Sequence, residues 1–184
     1  MARIPSATTR EDTPEAARNA YDRIVADRGR LSGPTGQLLP HAPELAVRLS
    51  HLGTYVRFET DLSRAQTELA TIVAARGLNN AYIWAAHVPP AIEEGISPDT
   101  VAIINNGAAV EGLAPDEALI IRVVRRLIED RYLDDATFEA AKARFAEKGL
   151  LELTTLVGFY SMVSCIITTG QFTPREGAPP LVER

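Results

Sequence analysis

The sequence predicts an all-helical, single-domain bundle of about eight helices over residues 1–184. Three observations predict it. The period-two alternation of half-buried strands is absent, while helix-start and helix-stop residues recur along the chain. At 184 residues the chain has the usual size of one domain and can bury a core without covalent staples. No internal repeat and no low-complexity segment interrupts it.

A first helix opens at Pro14 and Glu15 behind Thr13 and runs to about Arg28, where Gly29 stops it. RLSGPTGQLLP, residues 30–40, holds two glycines and two prolines and is read as a loop. A second helix follows Pro43 and reaches about Glu59. Ser63 with Gln66 forms a capping box for the third, which ends near Gly77. The fourth is AYIWAAHVPPAIEEG, from Ala81 to Gly95. Its Pro89 and Pro90 each remove a backbone donor, which predicts a bend immediately after His87 and unpaired carbonyls near Val88 or Ala85. Ser97 and Pro98 start the fifth, to about Gly107, and Pro115, Asp116 and Glu117 the sixth, to about Arg131. Asp134 caps a seventh that stops before Gly149. The eighth, LLELTTLVGFYSMVSCIITTG, is the longest apolar stretch. It carries Glu152 and several threonines and serines, with no aromatic belt and no basic cluster after it, and so reads as a helix buried on most sides. The proline-rich tail, residues 171–184, reads as flexible or laid over a neighbour.

The net charge of -5 comes from charges spread along the chain, with no run that resembles a nucleic-acid arm or a polybasic anchor. The expected partner is a small molecule or a protein, with neither nucleic acid nor membrane. A single cysteine, Cys165, excludes an intrachain disulfide and any multi-cysteine zinc site. The N-terminal MARIPSATTRED has no apolar segment of the kind a secretory signal needs, so a cytoplasmic protein is expected. Gly158, Ser161 and Cys165 form a small-residue strip on the last helix, which suits close packing between copies of the chain.

In a sheetless bundle a ligand site lies between helices or between subunits. His87 falls within the apolar face of its helix at about 100° per residue, so its imidazole is desolvated. It is either a hydrogen-bonded core histidine or a functional group paired with an acid. Glu68 borders the stripe made by Ala65, Leu69, Ile72 and Val73. It can face water, or reach across the short turn at residues 78–80 to meet His87 as a general acid/base couple. Arg57 and Tyr55, in TYVRFET, are candidate anchors for an anionic substrate. His41 and His51 lie in separate elements from His87, so no metal site is expected, and Cys165 reads as a core thiol. Tyr160 and Ser161 read as hydrogen-bonded structure on the buried helix. The glycines of RLSGPTG lack the strand-before, helix-after context of a phosphate loop.

Residues 62–104 resemble the carboxymuconolactone decarboxylase family, whose relatives include alkyl hydroperoxidase D. The resemblance rests on Glu68, Tyr82, Trp84, His87, Ala91, Gly95, Ser97 and Pro98 in their order and spacing, and it extends into both flanks. It implies an all-helical, alkyl hydroperoxidase D-like fold, trimers or hexamers with sites at subunit contacts, and no required cofactor. The hydroperoxidase branch uses a Cys-x-x-Cys pair, whose positions here fall on Asn80 and Ile83, so dithiol peroxidase chemistry is disfavoured. Many longer members carry Glu where this chain has Ile83.

The resemblance implies a cofactor-free lyase acting on a small organic acid or lactone, with His87 transferring the proton and Glu68 orienting it. Arg57 would bind the carboxylate, Tyr82 and Trp84 would wall the pocket, and Tyr55 and Asn80 complete the candidate substrate-binding residues. The alternatives are a non-catalytic ligand-binding or assembly protein on the same fold, and a hydrolase or isomerase built on the same His and Glu.

Overall fold

The helix on which the others pack is α4, Arg64–Gly77. The computed structural model describes residues 3–31 and 33–183, and among them all regular structure is helical. The expected capping box starts α4: the Ser63 hydroxyl accepts from the Gln66 amide, and the Gln66 side chain accepts from the Ser63 amide. From Thr67 to Arg76 every residue of α4 is buried. TELATIVAAR is small or apolar almost all round, so α4 can take neighbours on every side. Those neighbours are α5 (Ala81–Glu93), α6 (Pro98–Asn106), α7 (Pro115–Arg125) and α8 (Asp135–Gly170). Ile72, Trp84, Ile121, Leu153 and Leu156 fill the core between them.

A second, smaller core lies where α1 (Arg18–Arg28) packs on α3 (Pro43–Thr54), around Ile24, Leu39 and Val47. A 3₁₀ turn, Glu15–Ala17, leads into α1, and Gly29 ends it with a φ of 71°, the left-handed cap that glycine adopts without strain.

Five expectations are corrected. The segment read as a loop contains a short helix, α2 (Gly33–Leu38), in which Pro34 occupies the first turn, where no backbone donor is needed. Ser32 of that segment lies outside the described residues. Gly36 of α2 accepts a hydrogen bond from the Ala7 amide, and a Cβ there would come within 2.5 Å of the Ala7 carbonyl oxygen. Neither the second helix to Glu59 nor the sixth to Arg131 keeps one form: α3 stops at Thr54 and opens into a π turn, Tyr55–Glu59, and α7 stops at Arg125 before five residues of the same kind, Arg126–Asp130. The seventh and eighth helices are joined as α8 and separated by a break at Ala146, with φ 57° and ψ 178°, while Gly149 stays helical. Finally, α5 continues through Pro89 and Pro90 to Glu93 without a break. Each proline still withholds the donor that the carbonyl four residues earlier would receive, which leaves Ala85 and Ala86 without their helical partners.

The most apolar window of α8 is long enough to cross a membrane, and 56% of it is buried inside the bundle, as in a core helix. Beyond α8 the chain crosses the surface of α5 and α6. Phe172 stacks at a tilt on Tyr82 with ring centroids 5.4 Å apart, and Asn105 donates to the Pro180 carbonyl and accepts from the Val182 amide.

Removing the capping box tests how far α4 organises the bundle. Ser63→Ala should lower the unfolding free energy by about 1 kcal/mol, read as a lower urea midpoint at unchanged slope.

Candidate active site

Helices α4 and α5 run antiparallel through the short turn at residues 78–80, which brings Glu68 against His87. Glu68 Oε2 lies 2.7 Å from His87 Nδ1, and His87 Nε2 lies 3.2 Å from the Tyr160 hydroxyl on α8. The imidazole meets the Tyr160 ring edge-on, with centroids 5.2 Å apart. Glu68 is only 1% exposed, so it does not face water at the rim. Its other oxygen, Oε1, accepts from Arg64 at 2.6 Å and lies 3.5 Å from Arg57.

Burial alone would raise the pKa of Glu68. The hydrogen bond and charge of His87, with Arg57 and Arg64 behind it, outweigh that and hold the carboxyl down at about 2. His87 moves below its ordinary value because burial disfavours the imidazolium more than Glu68 favours it, and Arg57 and Arg64 add to the depression. Near neutral pH the ring is therefore uncharged. Its Nδ1–H donates to the carboxylate, which leaves Nε2 to accept from the Tyr160 hydroxyl, a phenol that burial pushes up. Glu68, His87 and Tyr160 thus form one hydrogen-bonded line with each group oriented by the next.

The line borders a cavity of about 360 Å³, within the range of small-molecule sites. Tyr82, Ile83 and His87 from α5 and Phe159, Tyr160 and Val163 from α8 form two of its walls. Arg28 at the end of α1 and Arg57 from the π turn line it as well, and Arg30 reaches its edge from an exposed position. The π turn aims Arg57. One end of that turn is tied to α8, since the Tyr55 hydroxyl donates to Glu152, and its middle is tied to α4, since Arg64 donates to the Arg57 carbonyl at 2.7 Å. A π turn adds a residue to the helical repeat and so redirects the side chains it carries, a device that recurs at functional sites.

The predicted residues divide accordingly. His87, Glu68 and Arg57 meet at one place, and Tyr82 lines the cavity. Trp84 does not wall it: at 1% exposure it is part of the core, on the face of α5 turned to α4. Asn80 caps α5 through the Ile83 amide and donates to Ser164 at 2.9 Å, a structural role. Tyr55 is 40% exposed and held on Glu152, outside the cavity. Cys165 is exposed on α8, not a core thiol, and His41 and His51 are exposed, away from His87. Among the described residues no group of three metal-ligating side chains forms. Sequence reasoning set Tyr160 aside as structure and did not single out Arg28 or Arg64. Arg64 was legible, four residues before Glu68 on one helix face.

Residues 43–125 match the carboxymuconolactone decarboxylase family. The chain matches over 83 of its 184 residues, which supports a place in that family. Its fold is that of alkyl hydroperoxidase D: the crystal structure of an alkylhydroperoxidase AhpD core, a peroxidase-related protein from Ralstonia eutropha JMP134, superposes with a TM-score of 0.73 at 14% identity, covering 95% of this chain and 93% of that one. A variant of the debrominase Bmp8 in complex with 2,3,4-tribromopyrrole superposes with a TM-score of 0.72 at 10% identity, covering 96% of this chain and 95% of that one. No protein of curated function matches the sequence significantly. The family match takes in α4, α5 and the π turn, hence Arg57, Glu68 and His87, and leaves Arg28 and Tyr160 outside it.

The site makes stability depend on pH in a defined direction. The unfolded chain takes up protons on His87 below about pH 6.5 and on Glu68 below about 4.5, whereas the folded chain resists both. Stability should therefore be lost as pH falls through this window towards about 2, and Glu68→Gln should flatten the lower part of the curve while lowering stability at pH 7. Urea unfolding at a series of pH values checks this; an identical acid limb in the variant contradicts it.

Proposed function

We propose that the protein is a cofactor-free acid–base enzyme acting on a small organic acid or lactone, with decarboxylation as the model reaction. The observation that carries this reading is the Glu68–His87–Tyr160 line opening on a cavity that guanidinium groups also line. In decarboxylation the bond from carbon to carboxylate breaks, its electron pair stays on carbon, and carbon dioxide leaves. The carbon then needs a proton. His87 supplies it after taking one from solvent at Nε2, with Glu68 stabilising the imidazolium so formed. The Tyr160 hydroxyl, already on Nε2, either yields that position to the substrate or passes the proton on. Arg57 holds an anionic group of the substrate, and the apolar walls limit access of water. A hydrolase or isomerase would draw on the same proton transfer, so reaction class is decided by the substrate panel below.

His87→Gln should cut turnover of carboxymuconolactone, or of the best substrate in a panel of lactones and keto acids, by about 10²–10⁴-fold. Tyr160→Phe should lower it less and shift its pH dependence. A folded His87→Gln protein with an unchanged rate would sink the assignment. Saturable heat of binding with no product from any panel member would instead establish a non-catalytic ligand-binding protein.

Association into a homo-oligomer, a trimer or hexamer, belongs to the same proposal. Leu151, Met162 and Cys165 on α8 and Leu45 and Leu52 on α3 are exposed, apolar side chains that a second copy would cover. Gly158 is also exposed and Ser161 partly so, which allows close approach. Light scattering at micromolar concentration should report three or six copies; a monodisperse monomer contradicts this part of the proposal.

A further inference from the structure

Arg28 is a charge at the cavity that the proposed chemistry leaves unused. It is half-buried at the C-terminal end of α1, outside the family-matched segment, and it lines the cavity. Among the described residues it has neither an ion pair nor a side-chain hydrogen bond, whereas Arg10, Arg23, Arg48, Arg64, Arg126 and Arg144 each hold a carboxylate. Its position is built. Arg28 Nη1 packs beside Gly53 on α3, where an added Cβ would crowd the Phe159 ring at 2.9 Å and meet Nη1 at an ordinary contact distance of 3.5 Å.

Among the charged groups around Arg28, Arg57 acts on it most strongly, ahead of Asp27 and Arg30. Burial lowers the pKa of Arg28, and the charge of Arg57 lowers it further. Arg57 in turn has a buried Nε with no partner, and its contact with Glu68 is shared with the closer Arg64. No aspartate or glutamate is among the described residues that line the cavity. Two guanidinium groups held together and partly removed from water are unfavourable unless an anion lies between them, and a carboxylate matches their donors. From Phe159 the cavity follows α8 for two turns, about 11 Å, to Val163 and Ile167, with Leu31 and Pro34 opposite. Those four side chains are hydrocarbon, with Thr35 and the exposed Arg30 beside them.

We propose that Arg28 and Arg57 form the anion-binding end of this cavity, and that its ligand is an amphipathic monocarboxylate whose apolar body lies along α8 towards Ile167. This deepens the proposed function by naming its substrate class. It rests on that reading only in taking the same cavity as the ligand site, and it requires no turnover.

Calorimetric titration of the full chain with hexanoate, hexanamide and adipate tests it. Hexanoate should bind about tenfold or more tightly than hexanamide, the effect expected of a charge-assisted contact, and more tightly than adipate. Arg28→Gln should weaken hexanoate about tenfold and leave hexanamide unchanged, and Arg28→Lys should recover part of the loss. Equal binding of acid and amide by the unaltered chain overturns the proposal, and that comparison needs no variant to fold. Tighter binding of adipate overturns the single-charge assignment, and failure of hexanoate to bind overturns the whole. Unaltered protein that turns over no member of the lactone and keto-acid panel yet keeps the acid–amide difference would end the enzymatic reading and leave this one standing.

Discussion

The structure turns on one buried carboxylate. Glu68 sits in the helix that is enclosed on all sides, where an ion costs several kcal/mol unless its oxygens are matched. The match comes from three segments at once: Arg64 from its own helix, His87 from α5 and Arg57 from the π turn. Each of these is constrained in return. The α4–α5 packing must keep His87 within 2.7 Å, and the chain after α3 must present Arg57 inward although the following helix leaves in another direction. A neutral residue at position 68 would leave two guanidinium groups and an imidazole facing one another without a counter-charge.

That constraint settles the state of the histidine. An imidazole whose Nδ1 is held by an ionised acid has its other nitrogen defined as an acceptor, and Tyr160 occupies it. The two prolines that follow belong to the same local design. They leave α5 helical but free the carbonyls of Ala85 and Ala86, and Ala86 and Pro90 both border the cavity beside His87. Polar backbone and the histidine thus share one face of α5.

What the sequence made legible was what is local. Ser63 with Gln66, Gly29 and Ser97 announce helix ends within a few residues of where the backbone changes, and they lie where expected. The Glu68–His87 pair was readable because a three-residue turn forces neighbouring helices to be antiparallel. Asn80 carried a local signal too, since an asparagine immediately before a helix is a cap, and that reading was passed over for a substrate contact. Trp84 was misplaced because α5 has two working faces. Tyr82, Ala86 and Pro90, one turn apart, turn to the cavity, while Trp84, Val88 and Ala91 turn to α4. Tyr160 and Arg28 were invisible as partners of His87 and Arg57, because only the tertiary packing of α1, α3 and α8 brings them together. The π turn at Tyr55–Glu59 was equally hidden, since its contacts with α4 and α8 are tertiary.

Ile83 is where the local and the long-range arguments meet. It is buried in the cavity wall one turn before His87, where the family resemblance implied an acid or a thiol. An acid there would compete with Glu68 for the imidazole and would neutralise part of the charge contributed by Arg28 and Arg57. With isoleucine in its place, Glu68 is the sole carboxylate on His87 among the described residues, and it is turned towards Arg64 and the interior. The positive charge of the cavity is then left for whatever enters it. Isoleucine at this position adds apolar wall and no counter-charge, so the guanidinium groups that line the cavity meet no carboxylate among its described lining residues.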